Sequence, residues 1–235
     1  MFHEQLQDRE GEIIRLLAHM PREFVLIGGY AVSALSSHRF SVDCDVVIAR
    51  KTSKQLRMLL KAEGYLRHRS AKVGKEYGGS VEMYVKTIKA GKISVDLFID
   101  SIAARETGAS WSYENIKRNS VEAVVTGIRN SASVTVPTKE LLIAMKIHSG
   151  RDTDIRDIVM LSDNADWNSV AKQAARGDTK ILLNQLTRIL HKLDSEQFLS
   201  SLRAAFELRQ NIKPLISSCK RGLSNLKGII EDTRS

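Results

Sequence analysis

Apolar and polar positions over the first twenty residues recur at helical spacing, which predicts an amphipathic helix over residues 2–19, closing near Pro21. Phe24-Val25-Leu26-Ile27 is apolar without a break, the mark of a short strand buried on both faces, and Gly28-Gly29 stops it. Residues 30–36 return to helical spacing, with Ala31, Ala34 and Leu35 on one side. Over residues 42–48 the period becomes two. Val42, Cys44, Val46 and Ile48 then share one face, and Asp43 and Asp45 point to the other.

Thr52 or Ser53 is placed to cap the next helix, which carries Leu56, Leu59 and Leu60 and ends at Gly64. Residues 81–88 and 93–99 read as two strands around the turn Lys89-Ala90-Gly91-Lys92. In the second, Ile93, Val95, Leu97 and Ile99 share a face, leaving Asp96 on the opposite one. Strands are also expected over 121–125 and 134–136. Thr138 opens a helix reaching Ser149, Gly150 stops it, and 154–161 is a further helix. Beyond Asp163 only helical patterns remain: Ile181, Leu182, Leu186, Ile189, Leu190 and Leu193 form one stripe, and Ile212, Leu215, Ile216, Cys219, Leu223, Leu226 and Ile230 another. The polar stretch Ser162-Asp163-Asn164-Ala165-Asp166 suggests a boundary near 162–168, dividing the chain into residues 1–162 and 163–235.

Composition narrows the class without naming a function. With 43% hydrophobic and 27% charged residues, 235 residues suffice to bury a core without disulfides. The two cysteines, Cys44 and Cys219, lack zinc-ligand spacing, and a reducing cytoplasm is the simplest expected location. The polar N-terminal stretch does not read as a secretory signal, and no run is long enough for a membrane span. The formal charge of +9 favours polyanionic partners, nucleotides or RNA among them.

The chemistry lies in the three aspartates. Carboxylates at i and i+2 on a strand project from one face about 7 Å apart. They can share two divalent ions roughly 4 Å apart, and a third carboxylate on a neighbouring strand would complete such a site. Asp43, Asp45 and Asp96 meet this description if their strands are adjacent. Gly28-Gly29, between a buried strand and a helix, can bring backbone N–H groups close to phosphate because no Cβ intervenes. Each element alone has a plainer reading: a glycine pair is a turn, and Asp-x-Asp is a solvated sheet face. Their combination is more specific, because strand parity independently puts all three carboxylates on the face away from the core.

Ile27-Gly28-Gly29 followed by Arg39-Phe40-Ser41-Val42-Asp43-Cys44-Asp45-Val46-Val47-Ile48 resembles the signature of the DNA polymerase β-like nucleotidyltransferase superfamily, most of all its minimal and AbiEii-type members. The resemblance reaches Ile93-Ser94-Val95-Asp96-Leu97-Phe98 and continues more weakly through residues 136–146 and 151–158, covering roughly 22–162. It implies an α+β fold with a mixed β-sheet flanked by helices, here followed by an all-helical C-terminal part. It further implies a nucleoside triphosphate (NTP) substrate and two Mg²⁺ or Mn²⁺ ions. Asp43 and Asp45 would bind both metals, and Asp96 would assist the one that activates the acceptor hydroxyl. Gly28, Gly29, Arg39 and Lys146 would then bind the nucleotide, Lys146 through its triphosphate. Many relatives carry Gly-Ser where this chain has Gly28-Gly29, and threonine where it has Ser41, so a serine contact to phosphate is missing.

Other residues keep two readings. His38 is a surface residue or a base beside the motif; Trp111 and Tyr113 pack or stack a base. Arg151, Asp154 and Asp157 form an ion network or touch substrate, and Lys172, Arg176, Lys180, Arg188 and Lys192 are solubilising charges or phosphate contacts. The leading expectation is transfer of a nucleoside monophosphate from NTP to a hydroxyl of RNA, tRNA included, of a protein or of a small molecule. The alternative is a catalytically quiet binding subunit or a member of a toxin–antitoxin pair with a partner protein.

Overall fold

The computed structural model describes residues 2–73 and 79–232. Its fold is α+β, a mixed sheet flanked by helices and followed by helices alone, in agreement with the expected class. The chain forms two compact units, one from Met1–Ala103 with Trp111–Pro137, the other from Ala104–Ser110 with Thr138–Ser235.

The first unit opens with α1 (Phe2–His19), whose stripe Ile13, Ile14, Leu16 and Leu17 is buried. There follow β1 (Phe24–Ile27), α2 (Gly28–Leu35), β2 (Asp43–Ile48), α3 (Ser53–Ala62), β3 (Leu66–Val73), β4 (Gly79–Ile88) and β5 (Gly91–Ile99). The five strands form one sheet in the order β1-β2-β5-β4-β3. The β2–β5 pair is parallel and the other pairs are antiparallel. A parallel pair needs a long crossover, which the chain from α3 through β4 supplies. Cys44, Val46 and Ile48 of β2, with Ile93, Val95, Leu97 and Ile99 of β5, are at most 1% exposed, so the face inferred from periodicity is the core face. Helix α1 packs on β5, and α2 packs on β1 and β2.

Three local features depart from the expected pattern. Helix α2 starts at Gly28, so the glycine pair makes its first turn instead of preceding it. Strand β3 carried no hydrophobic signal: its sequence Leu-Arg-His-Arg-Ser-Ala-Lys-Val lies at the sheet edge, and residues 66–70 are exposed. Strands β6 (Ser101–Ala103) and β7 (Ser110–Ser112), with α4 (Tyr113–Arg118), are too short to show a period. The β8 (Ser120–Thr126) and β9 (Ser131–Pro137) hairpin extends the two strands expected there.

The second unit contains α5 (Lys139–Ser149), α6 (Asp152–Leu161), α7 (Trp167–Ala174), α8 (Thr179–Lys192), α9 (Glu196–Phe206) and α10 (Lys213–Asp232). Thr138 caps α5 by accepting from the Leu141 amide. Helix α5 packs on α6, α7 and α8, and α10 packs on the same three. Compactness therefore divides the chain after Pro137, and α5 and α6 lie with the C-terminal helices that bury their apolar sides. Most of the two expected stripes are buried, Leu182, Leu186, Ile189 and Leu193 in one and Ile216, Cys219, Leu223, Leu226 and Ile230 in the other. Among the described residues, no helix is long and apolar enough to cross a membrane.

Candidate active site

Asp45 is the centre of the arrangement. The antiparallel β1–β2 pair sets it opposite Ile27, the last residue of β1. The parallel β2–β5 pair sets it opposite Asp96. The chain leaves β1 directly into Gly28, whose φ of 69° is the left-handed conformation that glycine adopts without strain. A Cβ built on Gly28 would collide with Asp45 Oδ2. Glycine is therefore required twice at this position, by backbone conformation and by the carboxylate lying against it.

Asp43 stands opposite Ser94 in the same parallel register, and the Ser94 hydroxyl donates a 2.6 Å hydrogen bond to Asp43 Oδ1. Asp96 is half-buried. Burial, then the nearby charge of Asp43, raises its pKa to about 6. Among the described residues its Oδ1 is enclosed without a hydrogen-bond partner, an uncommon state for a buried acceptor and one that invites a cation or a donor from substrate. The sequence placed the three aspartates on one face, and the structure brings their strands together. Ser94 was missed, although its position two residues before Asp96 on the same strand puts it on that face by the same parity.

Residues 39–41 are pinned to α2. Tyr30 Oη donates to the Ser41 carbonyl at 2.8 Å, and Ser33 Oγ donates to the Arg39 carbonyl at 3.2 Å. A Cβ on Gly29 would stand 2.7 Å from Ser41 Oγ and 2.9 Å from Arg39 Nη2. The hydroxyl and guanidinium thus fill the space that a side chain at position 29 would take. Beside them His38 Nε2 lies 2.6 Å from Oε1 of Glu10, a buried acid that also accepts from the Ile128 amide. His38 is thereby tied to α1, with its ring edge-on to Phe40.

Lys146 has a different setting. It is 6% exposed, and its ammonium lies 2.7 Å from Asp154 and 2.8 Å from Asp157. Arg151 Nε is 2.7 Å from the same Asp154, so the ion network expected on α6 exists and includes Lys146. Lys146 is thus a cation held in an ion network of the helical unit. The attraction of Lys146 and Arg151 outweighs burial at Asp154 and lowers its pKa to about 2. Trp111 and Tyr113 are buried, which is the packing reading. Of the C-terminal basic residues, Arg176 donates to the Ser110 carbonyl, Arg188 to the Gly150 carbonyl, and Lys192 pairs with Asp152.

The three-aspartate face suits a hard divalent cation, which takes carboxylate oxygens, water and phosphate. The unpartnered Asp96 oxygen is the observation in favour. Among the described residues no three His, Cys, Asp or Glu side chains form a ready metal cage. Asp43 is turned to Ser94 and Asp45 lies against Gly28, so an ion held here would need further ligands from water and substrate.

No protein-family model and no curated protein matches the chain. Solved structures do. A candidate nucleotidyltransferase from H. pylori aligns over 97% of this chain and 96% of its own, at 14% identity and TM-score 0.49. JHP933 from Helicobacter pylori aligns over 97% and 92%, at 15% identity and TM-score 0.48. The antibiotic-resistance factor ANT(2'')-Ia aligns over 88% and 93%, at 16% identity and TM-score 0.39. At these identities and scores the likenesses assign no activity to this chain.

Proposed function

We propose that this protein is a nucleotidyltransferase that moves a nucleoside monophosphate from NTP to an acceptor hydroxyl and releases pyrophosphate. The observation that supports the reading most is the placement of Asp45, between Asp96 in strand register and the Gly28 turn against its carboxylate. A phosphate-accommodating turn and a carboxylate set on one sheet face are what such a reaction requires.

In this reading the N-terminus of α2, which has no side-chain cap, faces the triphosphate with its backbone amides and the positive end of the helix dipole. Arg39 and Ser41, packed over Gly29, add a cation and a hydroxyl where the side chain at position 29 is missing. Asp43, Asp45 and Asp96 would hold Mg²⁺ or Mn²⁺, two ions in all, which would supply charge neutralisation for the phosphates and ease deprotonation of the acceptor. Asp96 would assist on the acceptor side. The acceptor oxygen bonds to the α-phosphorus as the bond from that phosphorus to the bridging α,β-oxygen breaks. Pyrophosphate leaves with the bond electrons, and the hydroxyl proton passes to solvent.

The test is incubation with each α-labelled NTP, Mg²⁺ or Mn²⁺, and cellular RNA or protein extract. Label transferred by the native chain and not by Asp43→Ala/Asp45→Ala supports the reading. Equal labelling by both, or labelling by neither across all four nucleotides, overturns it and leaves the chain a binding subunit.

A further inference from the structure

Residues 36–42, which join α2 to β2 and carry Arg39 and Ser41, are held from two sides. On the α2 side, Ser33 Oγ donates to the Arg39 carbonyl and accepts from the Arg39 amide at 3.3 Å, and Tyr30 Oη holds the Ser41 carbonyl. These bonds fasten the backbone only from Arg39 onward. On the α1 side, His3 meets the Phe40 ring edge-on with centroids 5.3 Å apart, and Glu10 binds His38.

Glu10 is 2% exposed, and each of its carboxylate oxygens has one directed bond. Oε1 faces His38 Nε2 at 2.6 Å, and Oε2 accepts from the Ile128 amide at 3.0 Å. A Cβ on Gly127 would stand 2.7 Å from Oε2 and 2.5 Å from Ile14 Cδ1, so the turn between β8 and β9 reaches this carboxylate only with glycine there. One buried acid thus joins a helix, a turn and the loop that carries Arg39 and Ser41.

Burying a carboxylate is costly unless a cation or strong donors answer it. Glu82 is answered by Arg57, and Asp154 and Asp157 by Lys146. Among the described residues, Glu10 has only His38 within ion-pair distance. An apolar residue at position 10 would pack the loop without that cost. What the acid supplies beyond packing is a directed bond to His38, whose side chain is itself 34% exposed.

We propose that Glu10 and His38 are positioning residues for the NTP: their pair holds the loop so that the Arg39 guanidinium and Ser41 hydroxyl stay over Gly29, where the triphosphate is to bind. This rests on the nucleotidyltransferase reading above. Loss of the pair frees the chain ahead of Arg39, and its guanidinium is then no longer preorganised for an anion.

The experiment measures binding of mant-labelled ATP and GTP with Mg²⁺ by fluorescence. It compares the full chain with His38→Ala, His38→Gln and Glu10→Gln, and follows hydrogen exchange of the amides at 38–41 in each. His38→Ala is expected to weaken binding about tenfold, the scale of losing a hydrogen bond to a charged group, and to speed exchange at 38–41 but not along α1. His38→Gln keeps an N–H donor for Glu10 and should recover part of both effects. Glu10→Gln keeps the acceptor but not the charge and should fall between His38→Ala and the native chain. In transfer assays His38→Ala should raise KM for NTP by more than it lowers kcat, with KM for the acceptor moving least. Native-like nucleotide binding by His38→Ala overturns the proposal, and so does faster exchange spread over α1 and the β8–β9 hairpin that His38→Gln fails to reverse. Nucleotide binding that depends on His38 in a chain that transfers nothing counts against the enzymatic reading alone. No nucleotide binding by the native chain overturns both.

Discussion

Asp45 and Asp96 stand directly opposite one another in the parallel β2–β5 pair, and a Cβ on Gly28 would collide with the Asp45 carboxylate. Two acids meet a turn with no side chain at the point where a phosphate and a cation would come together. Replacing any one of Asp43, Asp45 or Asp96 by alanine is expected to lower transfer about 10³-fold, the scale of losing preorganised charge stabilisation. Chelation by EDTA should abolish transfer, and added Mn²⁺ should restore it. Activity that persists in excess EDTA would remove metal from the reaction.

Ser94 fixes Asp43 through its hydroxyl. Ser94→Ala should reduce kcat about ten- to a hundredfold, the usual cost of losing a residue that orients a metal ligand. The metal concentration needed for half-maximal rate should rise with it. Ser94→Thr, which keeps the hydroxyl, should recover part of both. Unchanged metal dependence in Ser94→Ala would show that the hydrogen bond does not orient the carboxylate.

Gly28→Ala combines an unfavourable left-handed conformation, about 1–2 kcal/mol, with a collision against Asp45. Reduced stability in urea and loss of transfer are expected together. Gly29→Ser restores the serine common in the resembling family, yet here the space is held by Ser41 and Arg39. The single change should therefore lower activity, and Gly29→Ser/Ser41→Ala should recover some of it. Additive losses in the double variant would show that the two positions do not share one space.

The Lys146–Asp154–Asp157 cluster sets a pH dependence of stability. Asp154 titrates at about 2 in the fold, below its usual value of 3.8. Its contribution is thus fully present above about 4 and is lost as pH falls toward 2. Asp154→Asn leaves a buried ammonium with one carboxylate instead of two and should cost about 3 kcal/mol at neutral pH. Urea unfolding of both proteins at neutral pH and near pH 2 checks the sign: the gap between them should narrow in acid. A gap that stays constant would show that this carboxylate is not held ionised by its cations.

His148 is buried, with Nε2 2.9 Å from the Ala174 carbonyl and Nδ1 2.8 Å from Thr107 Oγ1. The carbonyl can only accept, so Nε2 carries the hydrogen and the Thr107 hydroxyl donates to Nδ1. Burial lowers the pKa and keeps the ring neutral. A histidine of depressed pKa supports the fold above its unfolded value, about 6.5, and the support is lost as pH falls below it. Native stability should decline from pH 7 to 5, and His148→Gln should be less stable at pH 7 but flatter over that window. Parallel pH profiles would exclude His148 as the source of the decline.

The parts of the fold legible in the sequence were those with strong local periodicity. The uninterrupted β1 run, the alternation of β2 and β5, and most of the long stripes of α1, α8 and α10 appear as read, Ile181 of α8 being exposed. Strand β3 was illegible because an edge strand exposed on both faces has no apolar face to show, and charges at an edge also guard it from unwanted pairing. The partners of Lys146 were not legible, because Asp154 and Asp157 reach it only when α6 folds back on α5.

By itself the sequence determined which way each aspartate points, because side-chain parity is a property of one strand and its immediate neighbours. It also determined that a turn without side chains precedes them. Only the tertiary structure decided that β2 lies beside β5, that Asp45 is level with Asp96, and that the Gly28 backbone covers the Asp45 carboxylate. The first two relations depend on hydrogen bonds between segments some fifty residues apart, and no local period encodes the register of such a pairing.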